Sequence, residues 1–156
     1  MDVVILRKVS FFAGLSDADL SALARLLTVR EIKAGEQLLE EGTTVDALSI
    51  ICDGVLHVRR LAQKREILLG RLGTGGFFGE INLFDPGVAT ASIYSMKAGK
   101  LAVVDYATLR AFMEANTDIG YKIVTGMMAE MARRLRQTSS RLVNSSYWTS
   151  SETGTP

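Results

Sequence analysis

The sequence predicts an α+β fold that is mainly β: an antiparallel double-stranded β-helix, or jelly roll, flanked by an N-terminal helix and a long C-terminal helix. Three observations predict it. Residues 16–27 carry apolar positions at helical spacing behind a capping residue. Residues 28–105 divide into short β-rich segments separated by glycine-bearing turns. Residues 117–143 return to helical spacing, with apolar residues stepping by fours and threes. Many short strands at this spacing imply an antiparallel sandwich or barrel.

The first helix opens at Ser16-Asp17-Ala18-Asp19, a capping-box pattern with aspartate in place of the usual glutamate. Leu20, Leu23, Ala24 and Leu27 then share one face, and Phe11 and Phe12 just before it are placed to fasten it to a core. The strand segments are residues 29–33, 37–41, 47–52, 55–61, 67–72, 89–96 and 100–104. Among the breaks, Asp53-Gly54 is the sharpest, since that dipeptide suits a two-residue hairpin turn. Residues 106–115 predict a short helix with Leu109, Phe112 and Met113 inward. In residues 117–143, Val124, Met128, Met131, Leu135 and Leu142 form a heptad-like seam with Thr138 in the gap, which predicts a homodimer interface. The segment 144–156 is rich in Ser, Thr and Gly and reads as a flexible tail, although Tyr147 and Trp148 are unusual there.

Composition limits the function. A chain of 156 residues is one domain by its length and can bury about 68–70% of its unfolded surface. Net charge is +1, so nothing global demands nucleic acid. No apolar run reaches the roughly 18 residues of a membrane span, and the N-terminus lacks the basic start of a signal peptide. A cytoplasmic protein is the expectation. Cys52 is the one cysteine and His57 the one histidine. A metal-dependent jelly-roll enzyme needs two or three histidines, so no metal, no cofactor and no enzyme activity are expected.

The run from Gly73 to Ser92 carries the chemistry. Its glycines let backbone N–H groups close on a phosphate, and the start of a short helix adds a favourable dipole. This stretch resembles the phosphate-binding cassette of cyclic nucleotide-binding domains. Phe12-Ala13-Gly14-Leu15-Ser16, Ala34-Gly35-Glu36, Glu41-Gly42, Ile51-Cys52-Asp53-Gly54 and Phe78-Gly79-Glu80 follow in order. Over residues 6–143 this resembles the sensor domain of the catabolite activator protein family.

The resemblance implies a ligand site made by Phe78, Gly79, Glu80, Ile81, Asn82, Ala89 and Thr90. On that resemblance Glu80 would accept from a ribose hydroxyl, its other reading being a cap of the cassette turn, and Thr90 would help hold phosphate, its other reading being a β-branched residue at a strand start; Thr138 and Ser139 on the long helix would contact the base. The ligand implied is a cyclic nucleotide, cAMP or cGMP, and the signal would leave through the dimerising helix. The sequence departs from the pattern at one place. The family's arginine, about nine residues after the glutamate, is absent: Val88, Ala89 and Thr90 stand there, and no Lys or Arg lies between Arg71 and Lys97. Losing one partner of a buried ion pair costs roughly 3–5 kcal/mol, enough to turn a micromolar site into a millimolar one.

Other residues keep two readings at this stage. Thr138 is a base contact or a plain seam position. Met127, Met128 and Met131 are a pocket wall or core and seam. Arg133, Arg134, Arg136 and Arg141 read as a solvated basic helix end that complements the helix dipole, with contact to DNA as the second reading. Two further functions compete with the sensor: a ligand-free dimerising platform for an effector protein, and a piece of a transcription regulator whose helix-turn-helix domain is not in this chain.

Overall fold

The computed structural model describes residues 3–63 and 65–151, with side-chain surroundings given through residue 143. The chain opens with α1 (Val3–Leu6) and a single 3-10 turn (Ser10–Phe12), then α2 (Asp17–Ala24). Eight strands follow: β1 (Thr28–Ile32), β2 (Gln37–Leu39), β3 (Ala47–Asp53), β4 (Leu56–Ala62), β5 (Arg65–Leu72), β6 (Phe77–Phe78), β7 (Ser92–Ser95) and β8 (Gly99–Asp105). A short helix α3 (Glu80–Phe84) sits between β6 and β7, and the chain finishes in α4 (Tyr106–Ala115) and α5 (Thr117–Ser151).

The strands make two antiparallel four-stranded sheets, ordered β1-β8-β3-β6 and β2-β7-β4-β5. Leu48, Ile50 and Cys52 of β3 face a core shared with Phe11, Phe12, Leu20, Leu23, Ile123 and Met127. Ile51 faces the opposite way, into the space between the sheets, with Ile32, Leu56, Phe78, Ile93 and Leu101. Strand β3 is apolar on both faces because both faces are covered.

The capping box is present: Asp19 N–H donates to Ser16 Oγ at 3.2 Å, and Ser16 N–H donates to Asp19 Oδ2 at 3.0 Å. Lys122 Nζ also reaches Asp19 at 3.1 Å, tying α2 to α5. The helix stops at Ala24, three residues before the expected end, because β1 begins at Thr28 and the chain must turn between them. Helix α5 packs very close to the 3-10 turn. A Cβ on Gly126 would lie 2.2 Å from the Phe11 carbonyl oxygen, so that position has room for glycine alone.

Two expectations are corrected. Asp53-Gly54 does not close a hairpin. Strand β3 already has β8 on one edge and β6 on the other, so no edge is left for β4, and the turn carries the chain into the second sheet. The tight hairpin is the next one, closed by the Ala62–Arg65 pair, with Gln63 at φ 48 in place of the usual Asn or Gly. The tail is the second correction. The backbone of α5 continues to Ser151 instead of ending at residue 143. Residues 127–151 contain neither glycine nor proline, so nothing interrupts the helix. The side chains of Tyr147 and Trp148, and residues 152–156, lie outside the described structure.

Candidate functional site

The cassette hangs on Gly79, which caps α3 in the left-handed region at φ 85. A Cβ there would meet the Ala47 carbonyl oxygen at 2.3 Å, so glycine is needed both for conformation and for closeness to β3. The far side is pinned by α4: Tyr106 Oη donates to the Gly79 carbonyl and the Arg110 guanidinium donates to the Leu83 carbonyl. Burial, then the nearby Glu80 and Asp46 charges, push the Tyr106 hydroxyl up to about 12, so it stays a donor at any physiological pH. On the other side the loop 88–90 is held by backbone pairing: Ala89 N–H donates to Thr43 O, and Gly42 N–H donates to Ala89 O, both at 2.8 Å.

These elements enclose a cavity of about 170 Å³. Phe78, Gly79, Glu80, Ile81, Asn82, Ala89 and Thr90 all line it, together with Leu39, Val58, Leu72, Ile93 and Arg134. Seven of the nine ligand residues read from the sequence therefore converge. Thr138 and Ser139 do not: both are exposed and neither lines the cavity. The arginines of the sheets are elsewhere. Arg59 pairs with Glu66 at 3.2 Å and lies 5.0 Å from the Tyr94 ring centre; Arg60 pairs with Glu41 at 3.3 Å.

Arg134 is the residue that sequence reasoning missed. Read as part of a solvated helix end, it instead reaches into the cassette. Its Nη1 lies 2.5 Å from Glu80 Oε1, its Nε lies 3.0 Å from Glu130 Oε1, and its guanidinium sits 4.6 Å over the Phe77 ring. Glu130 is held in turn by Ser10 Oγ at 3.0 Å and Arg133 at 2.8 Å. The signal was present in the spacing. Arg134 lies one helical turn before Thr138, so the face assigned to ligand contact passes through it.

The electrostatics follow from burial. The Glu80 side chain is only 8% exposed. Desolvation pushes its carboxyl above the ordinary value, and Arg134 offsets only part of that. Glu130 goes the other way: burial would raise it, but the Ser10 and Arg134 hydrogen bonds and the Arg133 charge bring it below the usual carboxylate range. Among the described residues, the cavity thus holds one carboxylate and one cation, paired with each other. Among the described residues no group of histidine, cysteine or acidic side chains is arranged to hold a metal ion.

Behind α3 lies a second, apolar groove of about 230 Å³, lined by Glu80, Ile81, Phe84, Val124, Met127, Met128 and Met131. Met127 belongs to the core, while Met128, Leu135 and Leu142 are 63–69% exposed. Val124 and Met131 are half-buried in the groove. Glu80 and Ile81 line both the cassette cavity and this groove.

A profile described as "Cyclic nucleotide-binding domain" matches residues 29–116. The chain belongs to that family. It is 30% identical over 141 residues to a CRP-like cAMP-activated global transcriptional regulator of Mycobacterium tuberculosis, covering 90% of this chain and 61% of that protein. This domain therefore spans about three fifths of that relative's length. Among solved structures, it is similar to the N-terminal domain of a transcriptional regulator from Streptomyces coelicolor (TM-score 0.75, 27% identity, 88% of this chain and 94% of that one). A cyclic nucleotide-binding domain from Methylobacillus flagellatus shares the fold (TM-score 0.82, 22% identity, 92% and 81% of the two chains). No described helix is long and apolar enough to cross a membrane.

Proposed function

We propose that this cyclic nucleotide-binding domain is a regulatory sensor in which Arg134 takes the role of the missing cassette arginine. The observation that supports this is the Glu80–Arg134 pair, in which α5 supplies the one cation that lines the cavity among the described residues. A bare anion would take Arg134 and strand a buried carboxylate. A cyclic nucleotide brings a partner for each: its phosphate for Arg134 and its ribose hydroxyl for Glu80. The mycobacterial relative is named as cAMP-activated, which makes cAMP the first ligand to test and cGMP the second. The cavity of about 170 Å³ is small for a nucleotide, so binding requires Arg134 and α5 to shift. Glu80 and Ile81 would pass that shift to the groove at the start of the seam. The seam Val124, Met128, Met131, Leu135 and Leu142 would join two copies, and an effector protein would read their relation. As a sensor the domain has no enzyme activity of its own, and its setting would be cytoplasmic.

The experiment is calorimetric titration of the ligand-stripped protein with cAMP and cGMP. Weak binding is expected in the wild type, none in Arg134→Ala, and a gain of about tenfold or more in Thr90→Arg or Ala89→Arg. Thr90 is the roomier of the two positions, being exposed where Ala89 is buried. No heat from any variant would overturn the sensor reading. It would favour a ligand-free dimerising platform, a reading that the closed Glu80–Arg134 pair also supports. On either reading Leu135→Glu should yield a monomer by light scattering. A third reading, the sensor portion of a longer transcription regulator, is supported only by the relatives' printed names.

A further inference from the structure

Strand β5 is the last strand of its sheet and pairs only with β4. Its outer edge therefore faces no other described strand. Soluble proteins blunt such edges with charge, proline or bulges, because unpaired backbone groups invite another chain. Here one bulge is present, beside Leu69, and the charges are Arg65, Glu66 and Arg71 with no proline, so the stretch Ile67–Leu69 carries none of these devices but the bulge. Leu61, Ile67, Leu68 and Leu69 are 47–63% exposed. Cross-strand partners share a face, so Leu68 opposite Arg59 and Leu61 opposite Glu66 mark one side, and Ile67 opposite Arg60 the other. Neither side is covered from Arg65 to Leu69. From Arg65 to Leu69 the strand thus carries exposed apolar side chains on both faces, Leu68 on one and Ile67 on the other.

Charge says what fits there. Residues 56–72 hold five cations (Arg59, Arg60, Lys64, Arg65 and Arg71) against the carboxylate Glu66, which pairs with Arg59. Glu41 from the segment after β2 pairs with Arg60, so the hairpin keeps an excess of positive charge in a chain whose total is +1. Arg65 and Arg71 have no ion pair among the described residues, and His57 stands opposite Arg71 with Arg59 two residues along the strand. A second copy is a poor guest, since two such hairpins would set like charges edge to edge. The far end of α5 is no better, being basic through Arg133, Arg136 and Arg141.

We propose that the open edge of β5 docks an extended, acidic segment of a partner protein, which joins the sheet as a fifth strand. In a two-residue hairpin the closing Ala62–Arg65 pair exchanges both bonds, so Glu66 and Leu68 point their N–H and C=O groups outward. Main-chain bonds to those groups supply affinity, and apolar side chains alternating with carboxylates supply the match to Leu61, Leu68, Arg65 and Arg71. The root of the hairpin, Val58 and Leu72, lines the cassette cavity, so the dock and the candidate ligand site are two ends of one element. The dock does not rest on the nucleotide reading.

The test uses a synthetic peptide of about ten residues alternating Glu or Asp with Val or Ile, titrated into the full chain. Hydrogen exchange by NMR should show the Glu66 and Leu68 amides protected by about tenfold or more, with binding that weakens as salt rises. Leu68→Pro removes an outward N–H without touching the β4 ladder and should abolish that protection. If Leu68→Pro does not fold, the pair Arg65→Glu with Arg71→Glu decides, and should weaken binding by about tenfold or more. Unchanged exchange at about 1 mM peptide would overturn the proposal. So would protection that needs only higher protein concentration, which assigns the edge to a second copy. Protection by vesicles of one part phosphatidylglycerol to three parts phosphatidylcholine, in place of peptide, would assign it to a membrane and overturn it equally.

Discussion

Strands β3 and β5 are similar in length and in apolar content, yet their surroundings are opposite. Leu48–Cys52 of β3 is buried on both faces, by the helices on one side and the second sheet on the other. Arg65–Leu72 is exposed on both faces until its last residues. The difference lies in sheet position. Strand β3 has neighbours on both edges, and β5 is the edge. Hydrophobicity in a strand therefore does two jobs in this molecule: it builds the scaffold that aims the cassette, and at β5 it is left over, beside a basic rim, for something else to cover.

The largest expected effect lies on the buried side. Ile50→Ala should cost about 2–5 kcal/mol, since Ile50 is fully buried and its neighbours can close the gap only in part. Chemical denaturation measures it. A cost below about 1 kcal/mol would mean that the helix-side core is loosely packed, and the contrast with β5 would fail.

Arg134→Ala comes next. It removes the guanidinium from Phe77 and leaves the buried Glu80 without its cation. The arginine is itself more than a third open to solvent, so the loss should fall to about 1–2 kcal/mol, below that of a fully buried pair. A neutral result in thermal melts would show that Glu80 does not need this partner.

The pH dependence sharpens the same point with opposite slopes. Glu80 titrates above its ordinary value in the folded protein, so its contribution is full below that ordinary value and is lost as pH rises through the raised one. Glu130 titrates below its ordinary value, so its contribution is full above that value and is lost as pH falls through the lowered one. Across about pH 3.5 to 7, the stability of wild type relative to Glu80→Gln should fall with pH, and relative to Glu130→Gln it should rise. Parallel slopes in thermal melts would contradict the assignment.

The smallest effect belongs to the edge. Leu68→Ser should change stability by no more than about 0.5 kcal/mol, because the side chain is half exposed. A loss comparable to that of Ile50→Ala would mean that β5 is covered in solution by something already present.

The succession of residues alone sets the order of elements and the two ends of the roll. The Ser16–Asp19 cap, the glycine-bearing breaks and the helical spacing over residues 117–143 are local signals, and local signals are written in neighbouring residues. It also placed the cassette, because Gly79, Glu80, Ala89 and Thr90 lie within one short stretch whose glycine has no substitute. Packing supplies what no spacing could carry. Asp53-Gly54 reads as a hairpin, but which sheet a strand joins depends on which edges others have taken. Arg134 reads as a solvated cation 54 positions from Glu80; the packing of α5 on the 3-10 turn, possible only because Gly126 lacks a Cβ, brings the two within 2.5 Å. The same residue types are pattern in the chain and partners only in the fold, because a charge acts over a few ångströms and the sequence does not record which distant residues those ångströms contain.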